Sequence, residues 1–544
     1  MKTNYSHTFE LPVTARKKVV VVGGGPAGCL AALSARRNGA DTLLIERDSY
    51  LGGMMTGGFV NSMHGYRQTK DYIKYNPTSS WEHTLLIKGI SLEVVDRLRK
   101  MGGTIDQGHP EPSQRELFDP EIMKYVLDDM MEEAGVEVLY NTFTFDVVVE
   151  DNVLKGVAIA NKSGGQVILA DLVVDASGDA DIAAAAGVPF DQGREKDGRY
   201  NGGSLMMDIG GVDIAKYTAY LKDRPEKTPE QKKQFEAEAS RLLGGGTMRE
   251  TILSLDGQRG WFSMGGIPGH TSWEQVDQFI NEGRVPLRFP GLEYEWLEFV
   301  KKGSVPPWLG TVGLIYIRSP FSAPGQIKGG KMRYDLIRSG VHEAYFNQVD
   351  QKEISKAISW MRKMDRIYLQ FFKECIPGFE DAYIVQMQPM VGTRESRRIQ
   401  GGYRLNERDV VEGSRFPDVI AKCGHPCNVH TCTGQWNEYI NLEPKKPFDI
   451  PYRCLIPQKV ENLIVAGRTI SVSHIAHGAT RDIPVCMATG AAAGAAAALS
   501  SKLNIRPRDL DVRILQKTLL NQGVLLFLED EQSQEKAIHE FALK

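Results

Sequence analysis

Near the start of the chain, short β-branched runs alternate with stretches of small residues. Residues 19–22, VVVV, form the unbroken apolar run that a strand needs when both of its faces are buried. Residues 26–38, PAGCLAALSARRN, predict a small-residue helix, and TLLIE at 42–46 predicts a second apolar strand that ends in an acid. Farther on, residues 120–134 read as a helix and VEVLY at 136–140 as a strand. TFTFDVVVE, LKGVAIAN and GQVILAD follow, separated by the turn signals Asp151-Asn152 and Ser163-Gly164-Gly165. They predict an antiparallel meander that leads back into LVVDASG at 172–178.

From residue 202 to 446 helices and aromatic strands continue, but the glycine turns of the first part cease. Thr228, Pro229 and Gln231 spell a helix start of capping-box type, with Phe235, Ala239, Leu242 and Leu243 on one apolar face. Residues 353–375 place Ile354, Ile358, Met361, Tyr368 and Phe372 at helical spacing until Pro377-Gly378 ends the helix, a pattern of core contacts. Residues 257–324, rich in Gly, Pro, Trp and Phe, predict a loop-heavy segment that covers a site. NLIVAGR at 462–468 then returns as an apolar strand, and alanine-rich residues 483–499 predict a helix with Gly490 and Gly494 in GxxxG spacing. Its 17 residues fall short of the roughly 20 that cross a bilayer, so a buried helix tight on a sheet is expected and no membrane span. DVRILQKTLLNQG is the most regular part of a polar helical tail.

The first of these runs carries chemistry. Gly23, Gly25 and Gly28 stand in GxGxxG spacing directly after an apolar strand and at the opening of a helix. The first glycine permits the tight turn, the second lets backbone approach a pyrophosphate, and the third lets the helix pack on its strand. The helix amides, led by Pro26 and Ala27, carry partial positive charge toward such an anion. Glu46 lies about 20 residues on, where an acid accepts hydrogen bonds from ribose hydroxyls. The combination predicts a bound adenine dinucleotide.

Arg47, Gly52, Gly53 and Met54 extend the pattern to ERxxxxGG, which resembles the signature of glutathione-reductase-like flavoproteins. That resemblance implies FAD, with Glu46 on its ribose and the glycine pair beside the pyrophosphate. LVVDASG, with Ser177 and Gly178, and NLIVAGR, with Gly467 and Arg468, end further strands where open parallel sheets bind ligands. GTRESRRIQGGYRL at 392–405, DIPYRCLIP at 449–457 and AGRTISVSHIAHGATRDIPVCMATGAAAG at 466–494 resemble the FAD-dependent oxidoreductase family of bacterial flavoproteins. The resemblance implies an α/β fold: a glutathione-reductase-like FAD-binding Rossmann domain with an inserted α+β substrate or cap domain. The expected layout is FAD-binding at 1–201 and 447–505, the insertion at 202–446, and the helical tail at 506–544. It also implies that the alanine helix, from Arg481 and Ile483 onward, points its amino end at the flavin.

Composition narrows partners. Lys plus Arg number 65 and Asp plus Glu 68, a formal net charge of −3, which gives no reason to expect nucleic acid. The first eighteen residues lack the apolar core of a secretory signal, so a cytoplasmic location is expected. Seven cysteines, an odd number, favour reduced thiols. Homo-oligomer formation is left open.

For proton transfer the candidates are His474 and His477 in SVSHIAHG and His64 in NSMHGY, since histidine titrates near neutrality. His474 coincides with a histidine of the family motif, and His64 is near enough to the glycine pair to reach the flavin, even to bond to it covalently. Arg394, Arg397 and Arg398 offer planar paired hydrogen bonds to an anionic or carbonyl-bearing substrate, with Arg394 the substrate-facing candidate and ion pairs to Glu395 or Asp409 the competing use. In KCGHPCNVHTC, Cys423, His425, Cys427, His430 and Cys432 invite a metal, yet the spacing matches no standard site. No metal is expected there, and His430 is kept as a secondary candidate in a loop lining the substrate pocket.

These readings favour an FAD-dependent oxidoreductase that moves hydride between a small organic substrate and flavin, its electron acceptor unidentified. Two alternatives stand beside it. One is a non-enzymatic metal or redox-sensing module built on Cys423 to Cys432, the other an FAD-assisted isomerase or macromolecule-modifying enzyme.

Overall fold

Because the side chains of a strand alternate, β1 (Val13–Val22) serves two cores at once. Val19 and Val21 pack with the helices on one side of the sheet, Val20 and Val22 with the apolar residues on the other. In the computed structural model, β1 pairs in parallel with β2 (Thr42–Ile45) on one edge and with the strand Gly164–Asp175 on the other. The structure describes residues 10–65, 85–105, 115–213, 311–318, 335–430 and 440–528, with isolated positions at 216–217, 219–220, 228–231, 233–234, 237, 432, 535–536, 538 and 540.

Beyond β2 lies Glu137–Leu139, again parallel. On the far side the sheet forks. The first half of Gly164–Asp175 pairs antiparallel with Val153–Asn161, which in turn pairs antiparallel with Phe143–Glu150. Its second half pairs in parallel with Leu463–Val465. The runs GQVILAD and LVVD, separate in the sequence reading, are thus one strand of 12 residues. The result is a mixed α/β fold around a largely parallel sheet.

α1 (Pro26–Arg37) and the alanine helix, Ile483–Leu503, cover one face together. Their contact is nearly backbone on backbone. A Cβ on Gly490 would lie 2.1 Å from the Ala27 carbonyl oxygen, and one on Gly494 would lie 2.0 Å from that of Ala31. Both helices advance one turn between the two contacts, so they run parallel and their amino ends lie on the same side. The alanine helix has 21 residues, long enough to span a bilayer, so the length argument fails. Its apolar character is accounted for by packing instead, since 89% of its most apolar window is buried.

A second core lies in a four-stranded antiparallel sheet ordered Thr311–Arg318, Asp335–Ala344, Gly203–Gly210, Tyr383–Met387. The helix Gln351–Cys375 lies on it, started by the Asp350 side chain, which accepts the backbone N–H of Lys352 and Glu353. Met361, Tyr368 and Phe372 are buried there, as their spacing predicts. Thr228 and Gln231 form the reciprocal capping pair, while Phe235, Ala239, Leu242 and Leu243 lie outside the described residues. So does most of the expected loop segment at 257–324, of which 311–318 is a strand. After this sheet the chain returns to the first core, to which Leu405, Val410, Ile420 and Phe448 contribute.

A buried ionic cluster ties the second sheet to the first body. Where the chain enters the sheet, Asn201 donates through its backbone N and Nδ2 to Glu395 Oε2 at 3.1 and 2.9 Å. Glu395 lies where the chain leaves it, and its other oxygen meets Arg398 and, at 2.8 Å, His474 Nδ1. Backbone bonds between Ser204 and Gly392 close the same joint. Burial pushes the Glu395 carboxyl up, but His474 and Arg398 outweigh it and hold it below the usual range.

Two outcomes follow for stability. Gly490→Leu drives a side chain into the Ala27 carbonyl and should cost about 3 kcal/mol or more, read as a lowered midpoint in urea; an unchanged midpoint would contradict the close helix pair. A carboxyl depressed by folding stabilises above its unfolded value, about 4.3 for Glu, and that stability is lost as pH falls through the native value. Wild-type protein should therefore lose stability more steeply than Glu395→Gln as pH falls below about 5, in thermal melts recorded across an acid series.

Candidate functional site

A cavity of about 760 Å³ opens at the carboxyl ends of the parallel strands, where both helix amino ends also point. Gly23, Gly25, Pro26, Ala27, Glu46, Arg47, Gly53, Met54, Ser177, Gly178, Gly467, Arg468, Arg481 and Ile483 line it, all singled out in the sequence. Gly28 and Gly52 do not, because their work lies behind the wall. A Cβ on Gly28 would lie 1.7 Å from the Gly23 carbonyl oxygen, whereas nothing lies within 4 Å of one on Gly25. Gly23, at φ +96°, makes the turn. Open space at the second glycine alone is the geometry a pyrophosphate needs against bare backbone. Gly52 donates to the Gly24 carbonyl at 2.8 Å and so docks the glycine pair beside the turn.

Glu46 is buried at the tip of β2, its Oε2 accepting Gly24 N–H at 2.5 Å and its Oε1 accepting Asp48 N–H at 2.8 Å. Burial pushes its carboxyl above the usual range against the pull of those two donors. These residues fit an adenine dinucleotide: an acid for the ribose, an open glycine and two helix amino ends for the phosphates.

The arginines are mostly engaged with protein. Arg468 meets Asp179 at 2.6 Å together with the carbonyls of Gly178 and Thr393. Arg397 meets Asp181 at 2.8 Å, and Arg398 is buried against Glu395. Arg394 lines the cavity, one guanidinium nitrogen on the Gly202 carbonyl. The sequence reading missed Arg338, which reaches the cavity from the second sheet, paired to Asp208 at 2.7 and 2.9 Å and stacked over Phe59.

Of the histidines, His64 and His430 line the cavity and His474 and His477 do not. His474 is buried in the Glu395 cluster. His477 is buried too, and desolvation together with neighbouring Arg398 and Arg481 drives its pKa well below the usual value, so its ring is neutral. In their place the cavity holds His425, whose Nδ1 lies 2.9 Å from Asp482 Oδ2. Asp482 occupies the N-cap position of the alanine helix, but its side chain makes no cap bond. Burial pushes its carboxyl up, and the His425 ring pulls it down to about 2. The two residues stand far apart in sequence, so no spacing rule signals the pair.

Cys423 and Cys427 are buried, their thiols pushed up by desolvation, that of Cys427 to about 12. Among the described residues no three His, Cys, Asp or Glu side chains are grouped to hold a metal.

A family model described as FAD dependent oxidoreductase matches residues 18–519. An NADH oxidase of Thermoanaerobacter brockii is 49% identical over 51 residues, 9% of this chain and 8% of that protein. A digeranylgeranylglycerophospholipid reductase of Methanosarcina acetivorans is 27% identical over 169 residues, 29% of this chain and 37% of that one. The chain thus spans less than half the length of these curated relatives. A solved geranylgeranyl bacteriochlorophyll reductase-like protein of Thermoplasma acidophilum aligns over 97% of this chain and 88% of its own, at 12% identity and TM-score 0.38. With the family match covering both halves of the sheet and the dinucleotide cradle formed around one cavity, the chain belongs to the FAD-dependent oxidoreductase family.

Proposed function

We propose that the protein exchanges hydride between a small organic substrate and FAD, the cofactor lying in the cradle and the substrate beneath the four-stranded sheet. The observation that carries this reading is a single continuous cavity. The nucleotide fingerprint lines it, and so do His64, His425 and His430 and, from the second sheet, Ser204, Met206 and Arg338. Bound FAD supplies a ring that accepts or returns an electron pair. The chain's own residues hold it, exclude water and manage a proton.

The ERxxxxGG turn supports a glutathione-reductase-like binding half: Gly53 sits so near the glycine turn that a Cβ on it would be 2.9 Å from Gly25 Cα. The inserted sheet supplies the substrate wall, with the Arg338 guanidinium fixed in it by Asp208.

Gly25→Trp tests the cradle. Its side chain has room to enter the cavity, so the variant should fold and purify colourless; one that retains stoichiometric FAD contradicts the placement. Anaerobic mixing with panels of alcohols, amines, hydroxy acids and sugars, and of reduced protein with unsaturated acceptors, tests the reaction. At least one class should bleach or restore the flavin band within the panel. Failure of every class in both directions would count against hydride exchange with a small molecule.

A further inference from the structure

His425 is the histidine whose chemistry the cavity constrains most. Its Nδ1 lies 2.9 Å from Asp482 Oδ2 and 2.9 Å from the Pro426 carbonyl oxygen. The carbonyl has no proton to give and can only accept. The Pro426 carbonyl accepts from Nδ1, with Asp482 Oδ2 beside it but outside hydrogen-bond geometry, so Nδ1 carries a hydrogen and the lone pair of that tautomer lies on Nε2. No described residue hydrogen-bonds to Nε2, and the ring faces the cavity.

The ring is held from several sides. Its backbone N–H points to Cys423 Sγ at 3.3 Å, and a Cβ on Gly65 would lie 2.8 Å from His425 Cβ, so Gly65 rests on it. His64 stands edge-on with ring centroids 6.1 Å apart, its own Nε2 2.7 Å from Ser62 Oγ. His474 and His477 are walled off from the cavity.

Building on the hydride reading above, we propose that His425 is the base of the reaction and Asp482 its positioning residue. In oxidation, Nε2 takes the proton of a substrate O–H or N–H while the adjacent C–H bond breaks and its electron pair leaves as hydride to FAD. The substrate gains a C=O or C=N bond, one proton goes to His425, and the hydride accounts for both electrons. Reduction runs the same step backward. Asp482, 2.9 Å from Nδ1, would balance the charge His425 gains, and the pair would set the charge at this helix end, where FAD would supply the electron acceptor.

Two measurements on FAD-loaded full-length protein test this, neither needing the substrate. In nitrogen NMR of histidine-labelled protein, the signal lost in His425→Gln should be that of a ring with hydrogen on Nδ1 and a bare Nε2; the opposite tautomer overturns the proposal. Sulfite, an anion that adds to flavin and bleaches it, binds more tightly where positive charge lies beside the ring. At the acid end of a pH series, His425→Gln should weaken sulfite binding about tenfold. A variant with full FAD and wild-type sulfite affinity refutes the role of His425 while leaving the flavin reading intact. Wild-type protein that purifies without FAD refutes the flavin reading itself. If His425→Gln does not accumulate folded, His425→Asn supplies the same comparisons.

Discussion

The architecture depends on one contact, the parallel seating of the alanine helix on α1. Gly490 and Gly494 let its backbone approach Ala27 and Ala31 at distances no side chain permits. That approach brings residues from the two ends of the chain onto the same face of the sheet. Because the helices run parallel, their amino ends open on the same cavity. A bulkier stripe would separate them, and the cradle would lose one wall.

Two helix amino ends in one cavity make it attractive to anions, each contributing about 0.3–1 kcal/mol when exposed and up to about 2 when partly buried. The two ends differ in what stands on them. At α1 the N-cap is Gly25, bare backbone with open space above it. At the alanine helix the N-cap is Asp482, a buried carboxylate 2.9 Å from His425 Nδ1. On the proposed placement of FAD the first end is a phosphate seat, while the second carries a carboxylate and an imidazole.

Local features were legible in the sequence because neighbouring residues determine them. The glycine turn, the β-branched strand, the acid at Glu46 and the alanine helix each need only a few adjacent positions, and the structure assembles them around one cavity. Side-chain partners were legible only between near neighbours, as in the Arg398–Glu395 pair. His474 shares a motif with cofactor residues yet turns into Glu395, and Arg397 finds Asp181 across two segments distant in sequence. His425 sat in a cysteine-rich stretch that drew attention to metals, while its true partner lies at the start of another helix. Spacing encodes what one helix or strand presents; it does not encode which strands meet.

The joint between the two bodies bears on how the site selects its substrate. The second sheet adds Ser204, Met206 and Arg338 to the cavity wall, while entry and exit of the chain are clamped by Asn201, Glu395, Arg398 and His474. A buried carboxylate with donors on both oxygens holds its neighbours in one arrangement, since losing any partner leaves charge without compensation at a cost of about 3–5 kcal/mol. The cap is thereby fixed to the floor at its root. On the proposed function, variation in its strands would reshape the substrate wall without disturbing the cradle.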